Sequence, residues 1–397
     1  MEHADARFDD GLQAIVTGEG RIVPLRPQSS DVLRLLVANA GQIVSKSEIL
    51  DEVWGDRDVT EDVVYQCISE IRKAFGMRGS AILRTVSRKG YVYGCAPVDP
   101  VPVLSSIEAP LLAGAEPIRY VRSADDTRIA WTASGSGIAV LKTPNFVSHL
   151  GAERRSRLYV PFYERLGQIA RIVRYDQRGS GLSRRFTAPL DMRANREDML
   201  TVAEAAGIDR FFLLGLSQGV PYAVDFAARY PEKVVGIIGR GGFALGDLAG
   251  GQNTNRQTFE AAMSLATIGW ESYDPTYKRH FTSRVMPDAP PAIASEFDDL
   301  QRLAIPKDNL LDYLRFDANI DVTTDAPKVR CPVLLLHAEG DRMVPIEDGR
   351  QLASLLPDCE FVTLPGIDHT SVPGSPAFEL TLDHIERFLG RHAAAVG

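Results

Sequence analysis

The stretch "FFLLGLSQGV", residues 211–220, runs an apolar segment directly into a serine flanked by glycines. The apolar run predicts a buried strand, and Gly215 and Gly219 leave room for a sharp turn from that strand into a helix. Such a turn holds Ser217 in a strained conformation with its hydroxyl exposed. The helix that begins near Gln218 directs its first N–H groups at a developing oxyanion. The stretch therefore predicts a nucleophilic serine.

Short apolar segments recur around this serine from residue 117 to the end of the chain. Near-continuous runs such as "VLLL" and "FFLL" fit strands that are covered on both faces, because such strands have no solvent side. With helical patterns between them, they predict a mostly parallel sheet flanked by helices. The predicted strands are IRYVRS, RIAWTAS, IAVLKT, ARIVRYD, RFFLLG, VVGIIG, PVLLLH and EFVTL.

An acid and a base follow the serine at the ends of later strands. In "LLLHAEGDRMVP", Asp341 comes just after a buried strand, and in "FVTLPGIDHTS", His369 lies in a loop after the last strand. His369 would take the proton of Ser217, and Asp341 would hold the imidazole tautomer. The order Ser217, Asp341, His369 predicts a catalytic triad.

Residues 117–397 resemble the α/β-hydrolase superfamily, and within it the subgroup that recurs beside regulatory domains in bacterial multidomain proteins. The fragments that carry the resemblance are TPNFVSHL, RYDQRGSGLS, LLGLSQG and LLHAEGDRMVP. The resemblance implies a serine hydrolase whose oxyanion hole uses the N–H groups of Phe146 and Gln218. The Asp176 turn in RYDQRGSGLS is interpreted as loop support, because such side chains satisfy backbone groups more often than they catalyse.

One position departs from the hydrolase pattern. The second oxyanion donor usually follows a His-Gly dipeptide, and here that place reads Pro144-Asn145-Phe146. A misdirected Phe146 N–H would cost about 10²–10³ in kcat. The departure concerns the oxyanion hole alone and leaves the predicted triad intact.

An insertion over the serine is predicted at residues 243–327, where helical patterns and aromatic residues prevail. In an α/β-hydrolase such an insertion is a cap, and an aromatic cap favours a small, largely apolar ligand. The expected pocket residues are Asn145, Phe243, Trp270 and Tyr273. The alternative for each ring is that it packs the cap onto the sheet.

The first 95 residues carry a different pattern. "SSDVLRLLVANAGQ" predicts an amphipathic helix, and Ser45 with Glu48 forms a predicted capping box for a second one. A third helix is predicted at about residues 60–75, and Ser87-Arg88-Lys89-Gly90 suits the turn of a hairpin. Residues 8–95 resemble the winged helix-turn-helix effector domain of the OmpR/PhoB type, on the landmarks Val-Trp-Gly, Ile-Arg-Lys and Arg-Thr-Val followed by Lys-Gly-Tyr.

That resemblance implies that helix 60–75 enters the major groove and that the wing touches the adjacent backbone or minor groove. From Arg72 to Lys89 the sequence has six basic residues and no acidic one, which confines positive charge to the end of this helix and the wing. Ser69 and Glu70 depart from positions that are often basic. A module used only for protein contacts is the alternative. The expected DNA contacts are Gln66, Ser69, Arg72, Lys73, Arg88 and Lys89.

The whole chain has 397 residues and a net charge of −8, which excludes a general attraction to nucleic acid or anionic membrane. The acidic N-terminus is not a signal peptide, no run approaches the ~20 apolar residues of a membrane span, and we expect a cytoplasmic protein.

The scattered Cys67, Cys95, Cys331 and Cys359 predict reduced thiols and no metal site. A proline-rich linker at 96–116 separates predicted domains at 1–95 and 117–397.

Three functions fit this organisation. The first is a DNA-binding transcription regulator whose hydrolase-like domain senses, with or without turnover, an apolar ester- or lactone-type ligand. The second is a serine hydrolase with an accessory DNA-binding domain. The third is an inert dimerisation scaffold, which the complete triad disfavours. The expected partners are double-stranded DNA, a small-molecule effector and a second copy of the chain, with no cofactor, metal or membrane; fold alone does not separate the first two functions.

Overall fold

The computed structural model describes residues 7–17, 21–40, 42–55, 59–76, 79–86, 89–93, 112, 117–145, 147–183, 190–249, 256–270 and 276–393. It divides into two compact units, residues 1–108 and 109–397. Within the described residues, no helix is both long and apolar enough to cross a membrane. Cys67, Cys331 and Cys359 are free thiols, and Cys95 lies outside the described residues.

The first unit begins with a small antiparallel sheet of β1 (Arg7–Asp9), β2 (Ala14–Val16) and β3 (Ile22–Pro24). The helices and the hairpin that follow are α1 (Pro27–Ala38), α2 (Lys46–Trp54), α3 (Glu61–Ala74), α4 (Gly79–Ile82), β4 (Leu83–Val86) and β5 (Gly90–Tyr93). Apolar faces of α1, α2 and α3 bury one core that includes Leu33, Trp54 and Ile71. The three predicted helices are confirmed.

The predicted capping box at the start of α2 is present. The Ser45 hydroxyl accepts the Glu48 N–H at 3.2 Å, and the Glu48 carboxylate accepts the Ser45 N–H at 2.7 Å. Each of these two side chains accepts a hydrogen bond from a backbone N–H that would otherwise lack a partner in the helix. The sequence signal therefore positions the start of α2 by local hydrogen bonding alone.

The second unit is built on an eight-stranded sheet. Its strands are β6 (Arg119–Arg122), β7 (Arg128–Ser134), β8 (Ile138–Lys142), β9 (Ala170–Tyr175), β10 (Phe211–Leu216), β11 (Val234–Arg240), β12 (Val333–Ala338) and β13 (Cys359–Leu364). Their order in the sheet is β13-β12-β11-β10-β8-β9-β7-β6. The pairs β6–β7 and β7–β9 are antiparallel, and the remaining pairs are parallel. The predicted mostly parallel sheet is confirmed.

Helices cover both faces of this sheet. The helices of this unit outside the cap are α5 (Leu150–Glu153), α6 (Val160–Leu166), α7 (Met192–Ala205), α8 (Gly219–Arg229), α13 (Ile346–Leu355) and α14 (Pro376–His392). One face of the sheet packs against α7, α8 and α13, and the other against α6 and α14. Leu112, inside the predicted linker, is buried in the second of these layers and donates its N–H to Arg154 O at 2.9 Å. At this point the predicted linker is part of the second unit.

The predicted cap is a helical insertion between β11 and β12. Its helices are α9 (Arg256–Gly269), α10 (Thr276–Val285), α11 (Pro291–Ala304) and α12 (Lys307–Asp317). Their apolar side chains form a cluster that includes Trp270, Phe297 and Tyr313. Val147, Leu158 and Val372 from outside the cap belong to the same cluster, so Trp270, Phe281, Phe297 and Tyr313 also pack the cap onto the rest of the unit.

Candidate active site

The turn after β10 has the geometry that the opening stretch predicts. Ser217 has a φ of +54°, a left-handed backbone conformation that costs a residue with a side chain about 1–2 kcal/mol. A Cβ on Gly215 would lie 2.8 Å from Gly219 O, so the chain can turn this tightly only without a side chain there. The Ser217 N–H donates to Arg240 O at 2.8 Å, which ties the turn to the neighbouring strand β11.

Asp341 and His369 form a buried pair. The His369 imidazole and the Asp341 carboxylate are joined by a hydrogen bond of 2.8 Å between Nδ1 and Oδ2. The other carboxylate oxygen accepts the N–H groups of Met343 at 2.8 Å and Val344 at 3.0 Å. Burial acts to raise the pKa of Asp341, but these hydrogen bonds outweigh it and hold the pKa below its ordinary value. An ionised Asp341 keeps the Nδ1–H tautomer, which leaves Nε2 of His369 free to accept a proton.

A second histidine, His337, lies in β12, shortly before Asp341 in the sequence. Its Nε2 is 2.9 Å from Val344 O and 3.5 Å from Asp341 Oδ2. Burial lowers the pKa of His337 and keeps the ring neutral, so its Nε2–H donates to the carbonyl. A Cβ on Gly349 would meet this ring at 2.2 Å, so the helix α13 packs directly on it. His337 thus supports the loop that carries Asp341.

The end of β11 holds the loop that carries His369. The buried guanidinium of Arg240 donates from Nε to His369 O and from Nη2 to Asp368 O, both at 3.0 Å. Burial lowers the pKa of Arg240 to about 10, which leaves it charged at neutral pH. Gly241, with a φ of +59°, leaves space for the imidazole, since a Cβ there would lie 2.5 Å from His369 Cε1. Sequence reasoning missed both residues, although the Arg-Gly-Gly motif directly after an apolar strand was a visible signal.

Ser217 and His369 line one pocket of about 100 Å³. From the cap, Phe281, Val285 and Phe297 line it. Asn145 lines this pocket, whereas Phe243 packs against the core of the sheet. Trp270 lies in the apolar cluster of the cap, and its Nε1–H donates to Ile305 O at 2.8 Å. Tyr273 lies outside the described residues.

The structure describes part of the expected oxyanion hole. Gln218 is the N-cap residue of α8 and lines the pocket, at the positive end of an 11-residue helix. Asn145 is held from both ends: its amide donates to Val147 O at 2.9 Å, and its oxygen accepts from Nζ of the buried Lys142. Phe146 lies outside the described residues.

Residues 147–372 match the family model described as serine aminopeptidase, S33, a stretch of more than half of the chain. The chain belongs to this α/β-hydrolase family. In the S33-family chain, residues 20–93 also match the model described as transcriptional regulatory protein, C terminal. The chain therefore combines the DNA-binding domain of a transcription regulator with an α/β-hydrolase domain, and the expectation of this combination is confirmed.

Known relatives match the hydrolase part of the S33-family chain. The putative carbamate hydrolase RutD of Escherichia coli O26:H11 is 28% identical over 233 residues, which is 56% of this chain and 83% of the relative. RutD of Caulobacter sp. (strain K31) is 23% identical over 236 residues, 53% of this chain and 78% of the relative.

Solved structures show the same fold. An esterase from Thermogutta terrifontis is 21% identical, with a TM-score of 0.57 over 70% of this chain and 100% of its own. An enol-lactonase from Burkholderia xenovorans LB400 is 17% identical, with a TM-score of 0.55 over 68% of this chain and 100% of its own.

Asp176 supports loops in the S33-family chain. Its carboxylate accepts the Ser148 hydroxyl at 2.6 Å and the N–H groups of Leu150 at 3.0 Å and Leu182 at 2.8 Å. Arg178, two residues later, is paired with Asp198 at 2.7 Å. These contacts agree with the interpretation of this turn as structural.

The DNA-binding domain of the S33-family chain presents one polar face of α3. Gln66, Ser69 and Lys73 are exposed on this helix, and Lys89 is exposed at the hairpin. Arg72 instead donates to Leu83 O at 2.9 Å and to Thr85 Oγ1 at 2.7 Å, which joins α3 to β4. Arg88 lies outside the described residues.

Glu70, the acidic departure on α3, has a partner within the same domain. Its carboxylate accepts the Arg26 N–H at 2.7 Å and the Ser29 hydroxyl at 2.9 Å, and pairs with the Arg26 guanidinium. The negative charge is therefore used to hold the start of α1 against α3.

Proposed function

We propose that the chain is a transcription regulator whose hydrolase unit binds a small, largely apolar ester or lactone at Ser217, and that this ligand changes the affinity for DNA. The observation that carries the proposal is the pocket: it is lined mostly by apolar side chains and includes Ser217 and His369. A ligand that switches the chain must bind its two states unequally, by about 5–150-fold for ordinary coupling of about 1–3 kcal/mol.

The chemistry of the pocket favours a carbonyl compound. Ser217 and the imidazole of His369 suit attack on an acyl carbon, and the helix N-terminus at Gln218 suits the charge that forms on its oxygen. The relatives named as carbamate hydrolases and the neighbours named as an esterase and an enol-lactonase support the same class of acyl compounds.

The proposed DNA contacts are the exposed side chains of α3 and the hairpin. Gln66 and Ser69 would reach base edges, and Lys73 and Lys89, with Arg88, would reach phosphates. Arg72 would act through the position of the hairpin, because its guanidinium is bonded to Leu83 and Thr85. We further propose that the chain works in the cytoplasm as a homodimer on paired half-sites.

The test measures DNA binding with and without ligand. Purified full-length protein selects its preferred sites from a random duplex pool, and fluorescence anisotropy then follows binding at moderate salt while phenyl butyrate or γ-nonalactone is added. The expected result is a shift of 5-fold or more in the DNA dissociation constant. In Ser217→Trp the shift should vanish, and in the control Ser354→Trp, at an exposed position of α13, it should remain. Absence of sequence-selective binding, or a full response in Ser217→Trp, would overturn the proposal.

Turnover is the second candidate function, and the bonded Asp341–His369 pair favours it. A fluorophosphonate probe that reacts with activated serines separates the two. Labelling of the wild type that is lost in Ser217→Ala supports a hydrolase, and an unlabelled wild type that still responds to ligand supports a sensor that only binds.

A further inference from the structure

Lys142 is a buried lysine at the last position of β8, and the chemistry described so far does not use it. Its exposure is 3%, and burial lowers its pKa. An amine that leaves water must find hydrogen-bond partners inside the protein, because an unpaired polar group there is costly. Among the described residues, Nζ bonds to Asn145 Oδ1 and, at 3.5 Å, to Thr143 O. The closer contact of this buried amine is therefore the side-chain amide of Asn145.

The orientation of the Asn145 amide follows from its two partners. A backbone carbonyl oxygen accepts hydrogen bonds and cannot donate one, so the atom that lies 2.9 Å from Val147 O is the amide nitrogen. The amide oxygen then faces Lys142 Nζ, which donates in either protonation state. Nδ2 carries two hydrogens and Val147 O takes one of them. Among the contacts of the described residues, one N–H of Asn145 is left for another acceptor.

The segment before Asn145 packs against the turn that holds Ser217. Thr143 Oγ1 donates to Gly219 O at 2.8 Å. A Cβ on Gly219 would lie 3.1 Å from Pro144 O, so the first turn of α8 is in close contact with this segment. Asn145 follows directly and lines the same pocket as Ser217. This packing places the Asn145 side chain beside the turn that carries the nucleophile.

We propose that the side-chain amide of Asn145 donates a hydrogen bond to the oxyanion that forms at Ser217, and that Lys142 positions this amide. These roles rest on the proposed binding of an acyl compound at Ser217, and they assign one more group to its turnover. The usual second donor is a backbone N–H that follows His-Gly, whereas the dipeptide here is Pro144-Asn145. Side-chain amides are among the groups that form oxyanion holes.

The amide acts in the attack on the acyl carbon. Ser217 Oγ bonds to that carbon while its proton passes to His369 Nε2, and the π-electron pair of the carbonyl moves onto the carbonyl oxygen. The Asn145 N–H and the N–H groups at the start of α8 donate to this negative oxygen. When the leaving group departs with the proton from His369, the electron pair returns to the C=O bond.

Lys142 contributes by fixing and polarising the amide. Lys142 and Val147 O hold the oxygen and the nitrogen of the amide, so the group cannot turn about its last torsion while both bonds are present. Donation from Nζ to Oδ1 also strengthens the hydrogen bonds that Nδ2 donates, because linked hydrogen bonds polarise one another. The donor is thus aligned before the negative charge forms.

The test compares two compounds that differ in one atom. p-Nitrophenyl ethyl methylphosphonate has P=O where an ester has its carbonyl, and its phosphonothioate analogue has P=S. Ser217 Oγ bonds to phosphorus, its proton passes to His369, and p-nitrophenolate leaves once, so absorbance gives a second-order rate constant. Sulfur is a weak hydrogen-bond acceptor, so a change in the oxygen-to-sulfur ratio of rate constants reports a change in the hydrogen bonds to this atom. The ratio does not depend on the folded fraction.

Asn145→Gly separates a side-chain donor from a backbone donor. Glycine restores the second residue of the usual His-Gly dipeptide, so a backbone donor would be kept, whereas the side-chain donor is lost. We expect the rate constant for the phosphonate to fall by about 10²–10³-fold and the oxygen-to-sulfur ratio by about 10-fold or more. Asn145→Ala should give the same result. The matched control is Asn319→Gly, at an exposed position after α12, where the amide also donates to a backbone carbonyl, Arg315 O at 2.7 Å.

Lys142→Met tests the positioning role. In the otherwise unchanged chain it should lower the oxygen-to-sulfur ratio, because the amide of Asn145 loses the partner of its oxygen. In Asn145→Gly it should leave the ratio as it is, because Lys142 acts through that amide. A lysine with a purely structural role would lower both rate constants together and leave the ratio unchanged in either background.

The outcomes separate this inference from the proposed function. An unchanged ratio in Asn145→Gly and Asn145→Ala overturns the role of the amide, and ligand-dependent DNA binding is unaffected. An equal effect of Lys142→Met on the ratio in both backgrounds overturns the positioning role. No reaction of the wild type with either compound overturns the oxyanion donor and the hydrolase candidate together, and the anisotropy measurement then decides on the regulator by itself.

Discussion

Substitution of Gly241 by alanine should disable His369 without altering any side chain that reacts. A Cβ at this position would lie 2.5 Å from His369 Cε1 and 2.7 Å from Nδ1. Ordinary contacts begin near 3.4 Å, so the imidazole must move by about 1 Å, a misplacement of the kind that costs about 10²-fold in rate. Stability should also fall by about 1–2 kcal/mol, because the φ of +59° strains any residue with a side chain.

Gly207→Ala is the matched control for this prediction. Gly207 has a φ of +67°, and a Cβ there would meet nothing within 4 Å. Both variants should therefore lose similar stability in a urea titration, whereas only Gly241→Ala should lose about 100-fold in the rate of fluorophosphonate labelling. Equal labelling rates in the two variants would refute the argument that Gly241 is required to make room for the imidazole.

Three further predictions follow from single side chains. Asp341→Asn should lower the labelling rate by about 10³–10⁴-fold, because an amide stabilises the wrong tautomer of His369; stopped-flow or gel-based labelling measures it. Burial raises the pKa of Asp317 to about 7, against the hydrogen bond that it accepts from the Tyr222 hydroxyl at 2.7 Å. Since the folded state holds this proton more tightly than the unfolded state, the contribution of Asp317 to stability is complete below its ordinary pKa and is lost as the pH rises through about 7. In thermal melts between pH 5 and about 8, the melting temperature should therefore fall less steeply with pH in Asp317→Asn than in the wild type. Lys73→Ala should weaken DNA binding uniformly across sequences and reduce the slope of log K against log salt by about 1 in an anisotropy titration.

The elements of this fold follow largely from local sequence. The apolar runs that predict strands are the strands of the sheet, because a segment that is apolar on both sides must be covered on both faces. Ser45 and Glu48 position the start of α2 through hydrogen bonds that span three residues. Ser217 adopts a positive φ within a five-residue motif whose glycines leave room for the tight turn.

Contacts between distant segments were not predictable in this way. Arg240 bonds to the carbonyls of Asp368 and His369, and Gly241 makes room for the imidazole, although β11 and that loop are more than a hundred residues apart in sequence. The aromatic content of the cap predicted a lined pocket, but composition does not say which way a ring points. Phe243 and Trp270 pack in cores, and Phe281 and Phe297 line the pocket.

The sequence by itself determined the two kinds of domain, the strands and the order of Ser217, Asp341 and His369, because these depend on residue type and spacing along the chain. Only the tertiary structure decided that Glu70 is used within its own domain and that the pocket extends below the serine. The walls of that pocket come from three strands, from helices that cover the sheet and from the cap, and no local pattern records how such segments pack against each other. Whether an apolar residue fills a core or lines a cavity depends on the residues that face it, and those are set by the fold.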